Sequence, residues 1–224
     1  MRTFQFSARV WALLILALGM VPRLLGGQEC PQGRVASIQV ESVDVFDLNE
    51  FQEGSFVRRV FRLANTLHIN TSESFVLSEL LFDEGDCFDP FLLEESGRIL
   101  RSRIFIKWAE VTSENQPGGD VAVRVRVQDD WTLKLGLGLS FDEGLNLEEL
   151  LLQENNLLGR GMTVGAARVQ AREVLENSVL FAATRLFGTA WTFDGTGGET
   201  RLGPFFEETL EFPFTSELST MAFN

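Results

Sequence analysis

The feature that most constrains the fold of this chain is a run of five large apolar side chains at every second position. They are Leu133, Leu135, Leu137, Leu139 and Phe141. A period of two places all five on one face of a β-strand, with small or polar residues, two of them glycines, on the other face. Glycine weakens an ordinary strand, but in a transmembrane β-barrel such a strand is expected, because leucines meet lipid and small residues line the interior. An edge strand of a soluble core is the alternative that this run alone leaves open.

The N-terminus predicts export. Two arginines precede the apolar stretch 10–21, and a small-residue patch follows it. This order is typical of a secretory signal peptide, here over residues 1–27. The stretch is too short for a transmembrane helix, which needs about 20 apolar residues. Without residues 1–27, which hold three arginines and no acids, 16 basic residues remain against 32 acidic ones, a formal charge of −16. That charge disfavours nucleic acid as a partner.

The chain has two cysteines, Cys30 and Cys87. After export they would meet an oxidising compartment, in which a disulfide can form. A bond between them would close a loop long enough for about 4 kcal/mol of stabilisation in the chain-entropy model. Two unpaired thiols are the alternative that the sequence leaves open.

Between the signal peptide and Trp131, residues 28–130 alternate predicted strands and helices. The predicted order is strand, helix, helix, strand, strand, with an extra helix inserted early. The elements are a strand over 35–46, helices over 54–67, 72–82 and from Pro90 to about Ser102, and strands over 105–111 and 121–127. Asp89 and Pro90 are a typical helix start, an N-cap acceptor followed by proline at the first helical position. We expect Gly85 to end the helix before it.

The inserted helix over 54–67 is amphipathic. Apolar residues share one face, and Arg58, Arg59 and Arg62 lie on another. These arginines could meet anionic lipid head groups. In an acidic protein, a solvated or salt-bridged face is the simpler interpretation.

Three segments of the chain carry a resemblance: SESFVLSELLFDEGDCFDPFLLEESGRILRSRIFIKWAEV, GGDVAVRVRVQDDWTLKLGLGLSFDEG and ENNLLGRGMTVGAA. Together they resemble the junction between the last POTRA domain and the barrel in the BamA/TamA superfamily of outer-membrane assembly proteins. The resemblance covers about residues 35–170. Positions that match the family's motifs are Gly85, Phe88, Asp89, Pro90, Leu100, Arg101, Asn156, Leu157, Gly159 and Gly161.

The resemblance implies an α+β POTRA domain over 28–130, followed by antiparallel transmembrane strands over 131–224. After Trp131 there is room for about five spanning strands of about 10 residues each. We place them near 131–141, 145–153, 161–171, 178–193 and 203–214. Five strands leave a barrel incomplete, and its open edge in lipid would hold costly unpaired backbone groups. The chain is therefore expected to be the front portion of a longer protein.

The function that the resemblance implies is to receive unfolded outer-membrane or secreted clients in the periplasm of a bacterium and to help insert them into the outer membrane. Partners would be those clients, outer-membrane lipids and accessory periplasmic or lipoprotein subunits. Clients would add a strand to a free sheet edge. The predicted edge strand is Ile104, Phe105, Ile106, Lys107, Trp108, Ala109, Glu110, Val111 and Thr112. The alternatives are a two-partner secretion translocator of the same superfamily and a periplasmic interaction module without a membrane role.

An enzymatic function is not predicted. The glycines at 159, 161 and 165 lack the strand-to-helix context of a dinucleotide loop. Neighbouring acidic residues on a strand point to opposite faces and cannot act together as acid and base. His68 is the single histidine, which leaves no multi-histidine metal site, and residues 194–199 fit no defined calcium loop. We therefore expect no catalytic, cofactor-binding or metal-binding residues.

Overall fold

The computed structural model describes residues 30–141, 144–171 and 174–213. The proposed signal peptide at 1–27 lies outside them. The chain divides into two units, 1–31 and 32–224, and every element below belongs to the second. The described residues are mostly antiparallel β-sheet with few helices. None of these helices is both long enough and apolar enough to cross a membrane.

The first part of this unit is a three-stranded sheet with helices. Its elements are β1 (Val35–Val43), α1 (Phe56–Leu67), α2 (Glu73–Ser78), α3 (Pro90–Arg101), β2 (Ile106–Asn115) and β3 (Val121–Asp129). The strand order is β1-β3-β2, with β1 parallel and β2 antiparallel to β3. In β3 the alternation of valine with polar residues buries every valine. Each of the three helices begins at a side-chain N-cap, Ser55, Ser72 or Asp89.

The hydrophobic core of this part draws its buried side chains from residues 35–127. The largest of them that are fully buried include Leu100 and Phe105. Phe75 packs edge-on against Phe105, with 5.4 Å between ring centres. Because this core uses nothing after Val127, it can form without the strands that follow.

Residues 28–130 are therefore expected to fold in water without the rest of the chain. They should be less stable than in the whole protein, because the surface of α2 that contacts later turns would become exposed. A cooperative transition in denaturant, followed by circular dichroism and by Trp108 fluorescence, would support a boundary near Trp131. Absence of a cooperative transition would show that this boundary is wrong.

The helix predicted over 72–82 ends at Ser78, so its predicted end was wrong. The N–H of Leu81 donates to Ser96 Oγ on α3 at 3.0 Å instead of continuing the helix. Phe82 is buried in the core, 6% exposed. Gly85 lies further on in a turn, with a φ of 94° that suits glycine. Tertiary contacts with α3 thus end α2 before the glycine that the sequence suggested.

The second part is a six-stranded antiparallel sheet whose strands follow one another in chain order. Its strands are β4 (Leu133–Ser140), β5 (Asn146–Glu154), β6 (Met162–Ala171), β7 (Val174–Ala183), β8 (Thr192–Thr200) and β9 (Gly203–Glu211). The single strand predicted over 178–193 was wrong. It is divided between β7 and β8 by a turn in which Phe187 and Gly188 have φ of 53° and 76°. Two successive residues in the left-handed region cannot continue a strand.

This turn has a counterpart earlier in the chain. Leu158 and Gly159, between β5 and β6, have φ of 57° and 68°. Each pair forms the last two residues of a three-residue turn, Leu157–Gly159 or Leu186–Gly188. The repeated pattern of leucine, a large apolar residue and glycine could have revealed the second turn from the sequence.

Candidate functional site

Two adjacent rows across the six-stranded sheet differ in chemistry. One row of paired residues across the strands is entirely apolar: Leu135, Leu152, Ala166, Val179, Gly197 and Phe206. The adjacent row, on the opposite face, is mixed and mainly polar: Lys134, Gln153, Gly165, Leu180, Thr196 and Glu207. The difference between the rows follows from the period of two along each strand.

The apolar row belongs to a band of exposed large side chains. Leu135 and Leu137 are 73% and 69% exposed, and Leu137 is paired with Leu150. Phe141, predicted as the last lipid-facing position, lies just beyond the end of β4 and is also exposed. Exposed members of the band on the strands are Leu133, Leu135, Leu137, Leu139, Leu147, Leu150, Leu152, Val179, Phe181, Phe206 and Leu210. An apolar surface of this extent is unusual on a protein surrounded by water.

The opposite face is closely packed where β4 meets β5. A Cβ at Gly136 would lie 3.0 Å from Leu151 Cβ, and one at Gly138 would lie 2.8 Å from Glu149 Cβ. These glycines are thus required by the side chains of the neighbouring strand. A larger residue at either position would force β4 and β5 to shift.

A junction joins the turn between β5 and β6 to the segment before α2. Asn156, which is 2% exposed, donates from Nδ2 to Thr71 Oγ1 at 2.8 Å and accepts from the N–H of Gly161 at 2.8 Å. The Gly159 carbonyl accepts from the N–H of Ser72 at 2.8 Å. The family-like motif positions in this turn therefore hold the sheet against the α+β part.

Both glycines of this turn are needed for close approach. A Cβ at Gly159 would lie 2.3 Å from the Asn70 carbonyl oxygen. A Cβ at Gly161 would lie 2.5 Å from the Phe75 ring. Both residues also have positive φ, 68° and 64°, which glycine adopts at no steric cost.

Asp129, the last residue of β3, connects the junction to α1. Its carboxylate accepts from the N–H and Oγ1 of Thr71 at 2.6 Å and 2.7 Å, and it lies 3.3 Å from His68 Nε2. Asp129 is 2% exposed. The neighbouring acids Asp129 and Asp130 predict a solvated pair, and for Asp129 this prediction was wrong, because its carboxylate accepts from partners about 60 positions away in the chain.

A second contact at the junction is a buried charge cluster. Glu79, just after α2, is 2% exposed and lies 2.6 Å from Arg103 Nη2 and 3.9 Å from Arg185 Nη1. Arg185 lies between β7 and β8, and the neighbouring Thr184 donates to the Gly161 carbonyl. Two turns of the six-stranded sheet thus contact the α2 region, one through Asn156 and one through Arg185.

The predicted client-binding edge is largely an edge strand in the structure. β2 pairs with β3 and lies at one side of the three-stranded sheet. Ile104 and Phe105 were predicted as part of it, but they lie in the turn before β2. The Phe105 side chain is buried in the core, 1% exposed, and the Phe105 carbonyl accepts from the N–H of Asp130 at 2.9 Å. The strand continues beyond Thr112 to Asn115.

A groove of about 910 Å³ lies beside β2, bounded by residues 43–51 and by side chains of β2 and β3. Lys107 and Trp108 line it, and Arg126 stacks over Trp108 with its guanidinium carbon 5.5 Å from the ring centre. Arg126 also lies 3.4 Å from Glu41. Cationic and aromatic side chains of β2 and β3 therefore line this groove.

The other family-like motif positions have structural roles. Phe88 packs against the core, Asp89 accepts from the N–H of Phe91 at 2.8 Å, and Pro90 opens α3. Leu100 is fully buried, and Arg101 donates to the Ala109 carbonyl of β2 at 3.0 Å. Cys30 and Cys87 are both disulfide-bonded, and pairing in the exported protein stays a prediction. Over the residues that the structure describes, no group of three His, Cys, Asp or Glu side chains could hold a metal ion.

No protein family and no curated protein sequence matches the chain. Solved structures that are similar to it at low identity include the following three. BamA from Haemophilus ducreyi lacking POTRA domains 1-3 is 14% identical over 80% of this chain and 31% of that one, with a TM-score of 0.49. CdiB from Acinetobacter baumannii is 11% identical over 84% and 35%, with a TM-score of 0.39. CdiB from Escherichia coli is 12% identical over 87% and 50%, with a TM-score of 0.31. This chain spans half or less of each of the three.

Proposed function

We propose that this chain is part of a bacterial outer-membrane protein that receives unfolded clients and helps insert them into the membrane. In this proposal the six-stranded sheet is the first portion of a β-barrel, and residues 28–130 are a POTRA-like domain in the periplasm. The observation that carries the proposal is the pair of adjacent rows across the sheet, one entirely apolar and mostly exposed, the other mainly polar. A β-barrel strand that separates lipid from a polar interior must alternate apolar and polar side chains in this way.

The alternative of a periplasmic module without a membrane role conflicts with the same observation. Water would meet the exposed leucines of β4 and β5, and nothing in the described residues covers them. Within the described sheet, β4 and β9 each have a neighbour on one side. In lipid their unpaired backbone groups would be costly, so the proposal requires further strands to close the barrel.

Client binding is proposed to occur by strand addition at β2. An extended client would bond its main chain to the free side of this strand, which gives affinity with little dependence on client sequence. The groove beside Trp108 would receive client side chains. This mode of binding implies no cofactor or nucleotide, because main-chain hydrogen bonds and apolar burial would supply the binding free energy. The junction holds this edge in place relative to the sheet through Asn156 and Glu79.

Two prolines on β2 test strand addition. Neighbouring residues of an edge strand alternate between an N–H that bonds the next strand and an N–H that points away from it. Thr112→Pro and Ser113→Pro therefore form a matched pair, both at exposed positions. One should break the bond to β3 and destabilise the domain. The other removes an outward N–H and should keep the fold while it weakens client crosslinking and insertion.

The measurement is crosslinking of an unfolded outer-membrane β-barrel protein to the whole protein in vesicles, together with the yield of its protease-resistant inserted form. Circular dichroism identifies which proline variant is folded. Normal crosslinking and insertion by the folded proline variant would rule out β2 as the client site. Delivery of the client into the vesicle lumen, instead of the bilayer, would favour a secretion translocator.

A further inference from the structure

The helix α1 exposes its apolar face to solvent. Phe56, Val60, Leu63 and Leu67 follow one another at helical spacing and are 74%, 45%, 58% and 69% exposed. A period of 3.6 places these four in one narrow stripe along the helix. Ile69, just after the helix, is also exposed, 56%. A stripe of this kind is unusual on a helix that faces water.

The opposite side of α1 attaches the helix to the domain. Phe61 packs against Phe46 and Phe51, with ring centres 4.5 Å and 4.6 Å apart. Asn65 bonds the backbone of Phe46 twice, as a donor at 2.9 Å and as an acceptor at 3.1 Å. Because Phe61 and Asn65 lie about half a turn from the apolar stripe, the helix is fixed with the stripe directed away from the protein.

The charged residues of α1 are all arginines. The described chain is acidic, yet Phe56–Leu67 contains three arginines and no aspartate or glutamate. Arg58 is partly buried and lies 3.3 Å from Glu53. Arg59 and Arg62 are exposed on one flank of the stripe. Apolar residues flanked by arginines are typical of a helix that lies in the plane of an anionic lipid surface.

The C-terminal end of α1 lies where the chain enters the six-stranded sheet. His68, the residue after α1, is 6.2 Å from Trp131 between ring centres, and Phe46 is 6.0 Å from the same ring. Trp131 precedes β4 by two residues, and β4 begins with the exposed Leu133. Tryptophan is the residue that favours the membrane–water interface. The apolar stripe of α1 is thus anchored close to the start of the apolar band.

We infer that α1 lies on the membrane beside the barrel, with its apolar stripe in the lipid interface and Arg59 and Arg62 on anionic head groups. This inference rests on the proposed function, since it requires the six-stranded sheet to be in a membrane. It replaces the simpler interpretation of these arginines as a solvated face. The helix would hold the α+β domain against the bilayer, close to the lipid into which a client must pass.

The test is a fluorescent probe attached to single introduced thiols in the whole protein, folded into vesicles of phosphatidylethanolamine and phosphatidylglycerol. Three variants carry an environment-sensitive nitrobenzoxadiazole label: Leu63→Cys on the stripe, Thr66→Cys on the polar flank of the same helix, and Leu137→Cys on the apolar band. The parent protein controls for labelling of its own two cysteines. Depth is measured by quenching with doxyl-labelled phospholipid.

We expect the probes at Leu63 and Leu137 to be blue-shifted and quenched, and the probe at Thr66 to be quenched less. A Leu137 probe quenched by lipid together with a water-like Leu63 probe would overturn the inference but not the proposed function. A Leu63 probe that is shielded but not quenched would show that a protein, not lipid, covers the stripe, and would also overturn it. An unquenched Leu137 probe would contradict the proposed function itself. With Arg59→Gln and Arg62→Gln combined, the Leu63 probe should lose its dependence on anionic lipid.

Discussion

Glu79→Gln is expected to lower the free energy of unfolding by about 3–5 kcal/mol, the cost of removing one partner from a buried ion pair. Glutamine keeps the shape of the side chain and removes its charge. Arg103 and Arg185 would then face each other in a site from which water is largely excluded, with side chains 14% and 21% exposed. The loss should be measured by denaturant unfolding of the whole protein in detergent micelles.

The matched control is Glu41→Gln. Glu41 and Arg126 also form a glutamate–arginine pair, at 3.4 Å, but their side chains are 57% and 40% exposed. Exposed pairs contribute about 0–1 kcal/mol, so this substitution should have little effect. If both substitutions cost the same, the Glu79 charge does not hold the junction together.

Leu150→Arg should destabilise the membrane-folded state by about 2–4 kcal/mol, because Leu150 is the middle residue of β5, is paired with Leu137 of the apolar band, and would place a second arginine beside Arg168, its partner on β6. Leu151→Arg provides a comparison with the same parent residue, on the same strand, at nearly the same depth, but on the opposite face. There the guanidinium can stay hydrated in a polar interior. The free energy of folding into bilayers should be measured for both.

Side-chain volume is controlled by methionine at each position. Arginine should be much worse than methionine at Leu150 and only slightly worse at Leu151. Glycine positions on β4 are unsuitable for this comparison, because a Cβ at Gly138 already lies too close to Glu149. Equal arginine penalties on the two faces would remove the ground for a lipid-facing band.

Periodicity in the sequence predicts most of the strands. The valines of β3 are all buried and the leucines of β4 are all exposed, so the same period of two describes a core strand and a surface strand. Periodicity alone cannot distinguish them, because it specifies which residues share a face and not what covers that face. The start of α3 was predicted correctly, because an N-cap residue followed by proline is also a local signal in the sequence.

The junction could not be predicted in this way. Glu79 contacts Arg103 and Arg185 across about 24 and 106 positions of the chain, and Asn156 contacts Thr71 across 85. Such pairs depend on tertiary structure and leave no periodic signal. The break between β7 and β8 had a local signal, the repeated Leu-x-Gly turn, which the strand predicted over 178–193 did not use.

The α+β part is attached to the six-stranded sheet at three separate places: the peptide link before β4, the turn at Asn156 and the turn at Arg185. Three attachments restrict tilting and swivelling of one part on the other. They also hold β4 through β8 together, since separating β4 from β5 or β6 from β7 would strain at least one attachment, and β5–β6 and β7–β8 are each joined by an attached turn. If the sheet opens to let a client into lipid, the opening must therefore lie outside this group of strands, before β4 or after β8. The junction would then keep β4 to β8 fixed. The strands that move would be ones that do not contact the α+β part.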